Sequence, residues 1–444
     1  MTPSTPPQAS TALLTDRYEL TMVQAALRSG AADRQCVFEV FARRLPEGRR
    51  YGVVGGTGRL LEALRDFCFT DADISWLRET GVVDEPTLRW LAGYRFTGSI
   101  WGYAEGECFF PGSPILVVEG TFAQAVLLET LVLSVLNHDS AIAAAASRMT
   151  CAAGGRPCLE MGSRRTHEQA GVAAARAAVI AGFSSTSNLE AGRRYGLVTV
   201  GTAAHAFTLL HDDEKAAFAA QVASLGTGTT LLVDTFDVAT AVRTAVEVAG
   251  TGLGAVRLDS GDLLAQAHEV RAQLDALGAT GTKIVVTSDL DEYAIAALAA
   301  GPVDAYGVGT SLVTGSGHPT AGLVYKLVAR EGADGRLVGV AKASKSKVSI
   351  GGRKYALRRK DSRGTASAEV IGIGHAPDDD GDDRSLLVHL VDAGRIDTTH
   401  TGPAAVLAAR RRHDDSFAEL PPSAHRLTRG EPAIPTQFEG GDHA

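Results

Sequence analysis

Reactive and anion-binding side chains recur in this sequence directly after short apolar runs: Arg164 and Arg165, Ser185 and Thr186, His205, Asp234, Asp259, Asp289, and Thr310 with Ser311. Paired arginines can grip a phosphate or a carboxylate through two-pronged hydrogen bonds, unless they are engaged in ion pairs with Glu160 or Glu168. His205 follows Gly201-Thr202-Ala203-Ala204, small residues that leave room for a ligand. An imidazole there can act as a base or accept a phosphoryl group. In Arg257-Leu258-Asp259-Ser260-Gly261-Asp262 the glycine permits a tight turn, and the following helix presents backbone N–H groups to an anion. Asp259 and Asp262 can hold Mg²⁺ beside a diphosphate, bind sugar hydroxyls, or cap the helix. Ser288-Asp289 and Gly309-Thr310-Ser311 supply hydroxyl and N–H donors of the kind that hold phosphate.

The elements that carry these residues alternate. Runs at 158–160, 182–185, 197–200, 230–234, 255–258, 283–287 and 305–308 read as strands. Helical stretches lie between them at 169–180, 189–195, 207–224, 238–248, 261–277 and 292–299. Apolar strands alternating with helices predict a parallel sheet covered on both faces. An open doubly wound sheet and a closed barrel share that pattern. Chemistry spread over nearly every strand end favours the barrel, because an open sheet gathers it at one switch point.

Outside this region the pattern changes. Thr15 and Asp16 read as the cap of a short helix, with strands at 37–41 and 98–103, helices at 58–67 and 85–91, and a long apolar helix at 122–136. The chain therefore divides as 1–136, 137–325 and 326–444. Residues 342–347 are basic and turn-rich, 376–384 form an acidic solvated loop, and 385–391 read as a strand. The tail from Pro421 is rich in proline and glycine. His138-Asp139 reads as a helix cap in preference to a catalytic dyad, and His318 as a structural or exposed residue of a glycine-rich loop.

Composition excludes several roles. A net charge of −8 is unlike the basic face of a nucleic-acid binder. The stretch 121–136 contains Gln124, Glu129 and Thr130, too short and polar a run to span a bilayer. The start, MTPSTPPQAS, lacks the basic residues and apolar core of a secretion signal. Five cysteines without a CxxC pair suggest neither a zinc site nor a disulfide framework. A reducing cytoplasm is the expected location.

Taken in order, Leu14-Thr-Asp-Arg-Tyr-Glu-Leu-Thr-Met22, Phe38-Glu-Val-Phe-Ala-Arg-Arg-Leu-Pro46, and the strings around Glu160–Glu168, Gly201–His205, Arg257–Asp262 and Tyr306–Ser311 resemble the nicotinate phosphoribosyltransferases, a family of type II phosphoribosyltransferases. The resemblance implies an irregular (β/α) barrel of seven strands, packed with a discontinuous α/β (α+β) domain built from both chain ends. It implies transfer of 5-phosphoribosyl from phosphoribosyl diphosphate to nicotinate, with ATP as co-substrate, Mg²⁺, and a homodimer with shared active sites. On that reading Asp16 and Tyr18 reach the partner's site, with Tyr18 stacking on the pyridine ring. Arg164 binds phosphate, Arg165 binds the nicotinate carboxylate, and Arg257 supports phosphate groups. His205 is the phosphorylated histidine. Asp234 and Asp259 face the ribose and the reacting nitrogen. Gly309, Thr310 and Ser311 hold the 5-phosphate.

Relatives that use nicotinamide often carry Gly-Asp where this chain has Ser288-Asp289, and an aspartate where Ser184 follows Phe183. The missing carboxylate and the arginine pair favour an anionic acid over a neutral amide. The alternatives are a nicotinamide or quinolinate enzyme of the same fold and a non-catalytic nucleotide-binding barrel. An unrelated lyase or isomerase would want a strand-end lysine, and no barrel strand ends in one.

Overall fold

A computed structural model describes residues 10–342 and 349–440. The N-terminal segment 1–9 and nearly all of the basic stretch 342–347 lie outside the described residues. The chain forms two compact units, one from residues 142–319 and one from residues 1–141 with 320–444.

Residues 142–319 carry a six-stranded, wholly parallel half-barrel sheet. Its order is Ser185–Thr186, Cys158–Glu160, Ala305–Val308, Lys283–Ser288, Ala255–Leu258, Thr230–Leu232. Leu231, Val256, Leu258, Ile284, Val286, Tyr306 and Val308 are fully buried, as strands flanked by helices require. The helices begin at capping side chains: Asn188 accepts from Ala191 N, Asp213 from Ala216 N, Asp237 from Thr240 N, Asp262 from Ala265 N and Asp291 from Ala294 N. Each bond satisfies one of the N–H groups that a helix leaves without an internal partner.

Several expectations need correction: the parallel sheet has six strands among the described residues, not seven, and the strand expected at 182–185 is Ser185–Thr186. Segment 197–200 is not a strand but a single bridge, Thr186 to Thr199, and among the described residues no ladder joins it to Thr230–Leu232. Its apolar content is too thin, since Val198 is 65% exposed. The helix expected at 207–224 is two, His205–Leu210 and Glu214–Leu225, separated where Asp213 turns extended to cap the second. The stretch 122–136 resolves into Phe122–Val126 and a much longer helix, Glu129–Ala153. Taken together, Phe122–Ala153 reaches the length and apolarity of a membrane-crossing helix. Of its apolar window, 67% is buried inside the protein, as in a core helix.

The other unit is built on a seven-stranded antiparallel sheet. Alternation in its central strand Gln35–Ala42 sends Cys36, Phe38, Val40 and Ala42 into the main core and Val37 to the opposite face. Helices Arg17–Ser29, Thr57–Arg65, Asp71–Glu79 and Glu85–Ala92 contribute to that core. A second, four-stranded sheet recruits the tail, where Thr436–Glu439 pairs parallel with Ala366–Ile373. His138 and Asp139 do not cap a helix: both lie inside Glu129–Ala153, and the buried Asp139 accepts from Arg59 Nε at 3.0 Å.

Candidate active site at the strand ends

Register brings the chemistry to one level of the parallel sheet. Leu232 stands beside Arg257, Leu258 beside Val286, Ser288 beside Val308, Val308 beside Glu160, and Glu160 beside Thr186. Residues immediately following these positions therefore emerge along one edge, the C-terminal edge where α/β proteins bind ligands.

His205, Asp234, Arg257 and Asp259 meet there. His205 Nδ1 is 3.1 Å from Thr235 Oγ1, and its Nε2 lies 4.0 Å from Asp234 Oδ1 and 3.9 Å from Asp259 Oδ2. The Asp234 side chain is only 3% exposed; its Oδ2 accepts from Asp259 N at 3.0 Å and Ser260 Oγ at 2.8 Å. Its Oδ1 is buried without a hydrogen-bond partner among the described residues. Asp259 takes the Thr287 hydroxyl on Oδ1 and keeps Oδ2 toward the histidine. Thr287, Ser260 and Thr235 are thus supporting residues: Ser260 was expected as a helix cap and Thr287 among phosphate donors, and Thr235 was missed. Thr235 adjoins the strand-end Asp234 in the chain, the only signal that could have found it.

Arg257 donates to Thr202 Oγ1 at 3.1 Å and to Ala203 O at 3.0 Å, so it fixes the loop leading to His205. Its Nε is buried without a hydrogen-bond partner among the described residues. Burial lowers its pKa, the Asp259 and Asp234 carboxylates oppose the shift, and the Arg164 guanidinium adds to it. A cation crowded by a second cation suits a polyanionic ligand.

Arg164 and Arg165 sit exposed on the 3₁₀ turn Ser163–Arg165. The ion pairs with Glu160 or Glu168 that could have occupied them do not form. Glu160 accepts instead from Gly162 N and the Thr186 hydroxyl, and burial pushes its carboxyl pKa up against those bonds. Asn188 Nδ2 reaches Ser163 Oγ at 2.9 Å, so the arginine turn is anchored from both sides.

Ser288 closes its strand with φ of 147°, a conformation a side chain rarely accepts and one that tends to persist at functional sites. Asp289 beside it is exposed. Gly309 precedes the short helix Thr310–Val313, leaving Thr310 and Ser311 half-buried at its start. Asp262 caps its helix through Oδ1 at 3.2 Å. Asp16 and Tyr18 belong to the other unit. Asp16 precedes helix Arg17–Ser29 without capping it through its side chain, and Tyr18 is 45% exposed.

Fold and site define an α/β enzyme with carboxylates, a histidine and arginines gathered at the ends of parallel strands. Residues 13–137 match the nicotinate phosphoribosyltransferase (NAPRTase) N-terminal domain. The chain is 58% identical over 434 residues to a nicotinate phosphoribosyltransferase of Mycobacterium tuberculosis, covering 96% of this chain and 94% of that one. It is 39% identical over 360 residues to that of Bacillus subtilis, covering 79% and 73%. The crystal structure of human nicotinic acid phosphoribosyltransferase matches with a TM-score of 0.80 at 26% identity, covering 95% of this chain and 97% of that one. The chain belongs to the nicotinate phosphoribosyltransferase family, a family of enzymes.

Proposed function

We propose that this enzyme transfers the 5-phosphoribosyl group of phosphoribosyl diphosphate to nicotinate, forming nicotinate mononucleotide and diphosphate in NAD salvage. The observation that carries the reading is the gathering of His205, Asp234, Asp259 and Arg257 at one sheet edge. The bond from ribose C1 to diphosphate breaks as the pyridine nitrogen bonds to C1. Positive charge grows on the sugar and negative charge on the leaving group. Asp234 and Asp259 stabilise the first, and Arg257 and Arg164 the second. Arg165 takes the nicotinate carboxylate. Gly309, Thr310 and Ser311 hold the 5-phosphate, with Ser288 and Asp289 beside the sugar.

The donor set suits Mg²⁺, which binds through one or two carboxylates plus substrate phosphates. Asp259 has an outward oxygen and Asp234 an unpartnered one, whereas Asp262 already gives one oxygen to its helix. Bound there, the metal neutralises charge on the diphosphate. In the coupled reaction His205 accepts the γ-phosphoryl of ATP, releasing ADP, and water later takes that group as inorganic phosphate. Residues 137–325 form the catalytic barrel of a cytoplasmic homodimer, and Asp16 and Tyr18 complete the partner's site from the domain built by 1–136 and 326–444.

Incubation with nicotinate, phosphoribosyl diphosphate and Mg²⁺, with and without ATP, tests the reading. Nicotinate mononucleotide should form in both and faster with ATP; nicotinamide and quinolinate should be poor acceptors. Preference for either of those pyridines would sink the assignment. His205→Ala should lose the ATP stimulation and keep slow transfer, and full coupling in that variant would refute the histidine's role.

A further inference from the structure

Two of the strand-end loops are joined by side chains that the transfer chemistry does not use, the buried Arg148 and Glu292 and the half-buried Ser316. Glu292 opens helix Glu292–Leu298, just after Ser288 and Asp289. Its Oε1 accepts from Arg148 Nε at 3.0 Å, and the two side chains are 3% and 4% exposed. Its Oε2 accepts the hydroxyl of Ser316, in the loop that follows Thr310–Val313. Arg148 projects from the helix Glu129–Ala153 and also donates to Tyr293 OH at 3.3 Å.

We infer that Arg148, Glu292 and Ser316 are positioning residues that set the Gly309–Ser311 loop against the Ser288–Asp289 turn. The inference rests on the reading that Gly309–Ser311 hold the 5-phosphate. Three observations carry it. First, the strands feeding the two loops are adjacent, with Ser288 opposite Val308, so their separation is what a phosphoribosyl group would experience. Second, Ser316 has φ of 53° between Gly315 at 63° and Gly317 at 82°. Glycine is the undemanding residue in that conformation, yet the middle position carries a serine whose hydroxyl is engaged by a buried carboxylate. Third, Ser316 N donates to Ser311 O at 2.6 Å, and Thr314 Oγ1 to Thr310 O at 2.9 Å. A shift of Ser316 would therefore pass directly to the residues that hold the phosphate. Buried charged pairs with full hydrogen bonding fix geometry more than they stabilise.

Ser316→Gly separates this role from folding, because glycine accepts the backbone conformation and only the hydroxyl is lost. The KM for phosphoribosyl diphosphate should rise about tenfold. The KM for nicotinate and kcat at saturating phosphoribosyl diphosphate should stay within about twofold, as for an interaction lost in ground and transition state alike. Glu292→Gln, which also weakens the hold of Arg148, should show the same split with a larger rise. An unchanged KM for phosphoribosyl diphosphate in Ser316→Gly overturns the inference, as does an equal rise for both substrates. A fall in thermal midpoint without the KM split assigns the group a merely structural role and also overturns it. A parent enzyme that makes no nucleotide overturns the proposed function itself, whereas an active parent with an indifferent Ser316→Gly overturns only the positioning.

Discussion

Two groups of carboxylates, one in each unit, are used in opposite ways. In residues 1–141 and 320–444, Glu107 and Glu369 are buried with every oxygen engaged. Glu107 takes the Ser416 hydroxyl and both Arg384 Nη groups; Glu369 takes Tyr103 OH, Ser113 Oγ and Arg358 Nη2. Arg358 is fully buried over the Phe110 ring and also binds Cys108 O at 2.8 Å, while its Nε and Nη1 have no hydrogen-bond partner among the described residues. In residues 142–319, the Asp234 side chain is just as deeply buried but one oxygen has no partner among the described residues, and Asp259 leaves an oxygen toward a half-exposed histidine. A buried carboxylate without a partner costs stability that a completed network does not lose. The contrast teaches that engagement of both carboxylate oxygens, more than burial, marks which acids serve the fold and which await a ligand.

The sharpest way to break this comparison is to neutralise one member of each group. Asp259→Asn should lower kcat/KM by about 10³-fold while leaving unfolding free energy within about 1 kcal/mol; a large loss of stability with little loss of activity would reverse the assignment. Arg358→Met should do the opposite. It strands Glu369 in the interior and should destabilise by about 3 kcal/mol in urea unfolding. Both KM values should stay near those of the parent in the protein that remains folded. A substrate-specific KM change in Arg358→Met would show that the buried network is not merely structural.

The same contrast explains what could be read in advance. Strand-end residues such as Asp234, Asp259 and Arg257 were visible because a parallel βα pattern is local: a short apolar run, a polar residue, then a helix. Three strands, Cys158–Glu160, Ala255–Leu258 and Ala305–Val308, emerge at the bounds their apolar residues suggest. The saturated network was invisible, since Glu107 lies 277 residues from Arg384 and Cys108 lies 250 from Arg358. No spacing rule connects partners so far apart in the chain. The helix Gly402–Ala418 escaped notice for a related reason. Its buried positions are Ala405, Val406, Ala409, His413 and Ser416, small or polar residues that make a faint apolar stripe. Segment 197–200 erred the other way, its alternation resembling a strand that tertiary structure reduces to one bridge.

A milder test uses the exposed arginines. Arg165 has no ion pair with the acidic neighbours that might have saturated it, so its removal should touch binding and not folding. Arg165→Ala should raise the nicotinate KM about thirtyfold, the worth of a charged hydrogen-bonded contact, and change that for phosphoribosyl diphosphate far less. Equal effects on both substrates would remove Arg165 from the carboxylate and blur the line between the two groups of charges.

The smallest expected effect probes the saturated region through pH. His413 is buried in helix Gly402–Ala418, close to Gly106, where an added Cβ would meet Ala409 O at 2.1 Å and His413 N at 3.2 Å. Burial pushes the imidazole down to about 4, against the opposing pull of the Gly106 backbone and the Glu107 carboxylate. In the unfolded chain it titrates near 6.5. Between those values the unfolded chain binds a proton that the native protein refuses, so stability is complete above about pH 6.5 and declines as pH falls toward 4. His413→Phe lacks that proton site and fits an aromatic ring beside Phe417, against which His413 stacks at 5.9 Å. From pH 7 to pH 5 the parent should lose about 1–2 kcal/mol more than the variant in urea unfolding. Parallel stability curves over that interval would mean that His413 takes its proton in the folded state, and that this interior tolerates a buried imidazolium.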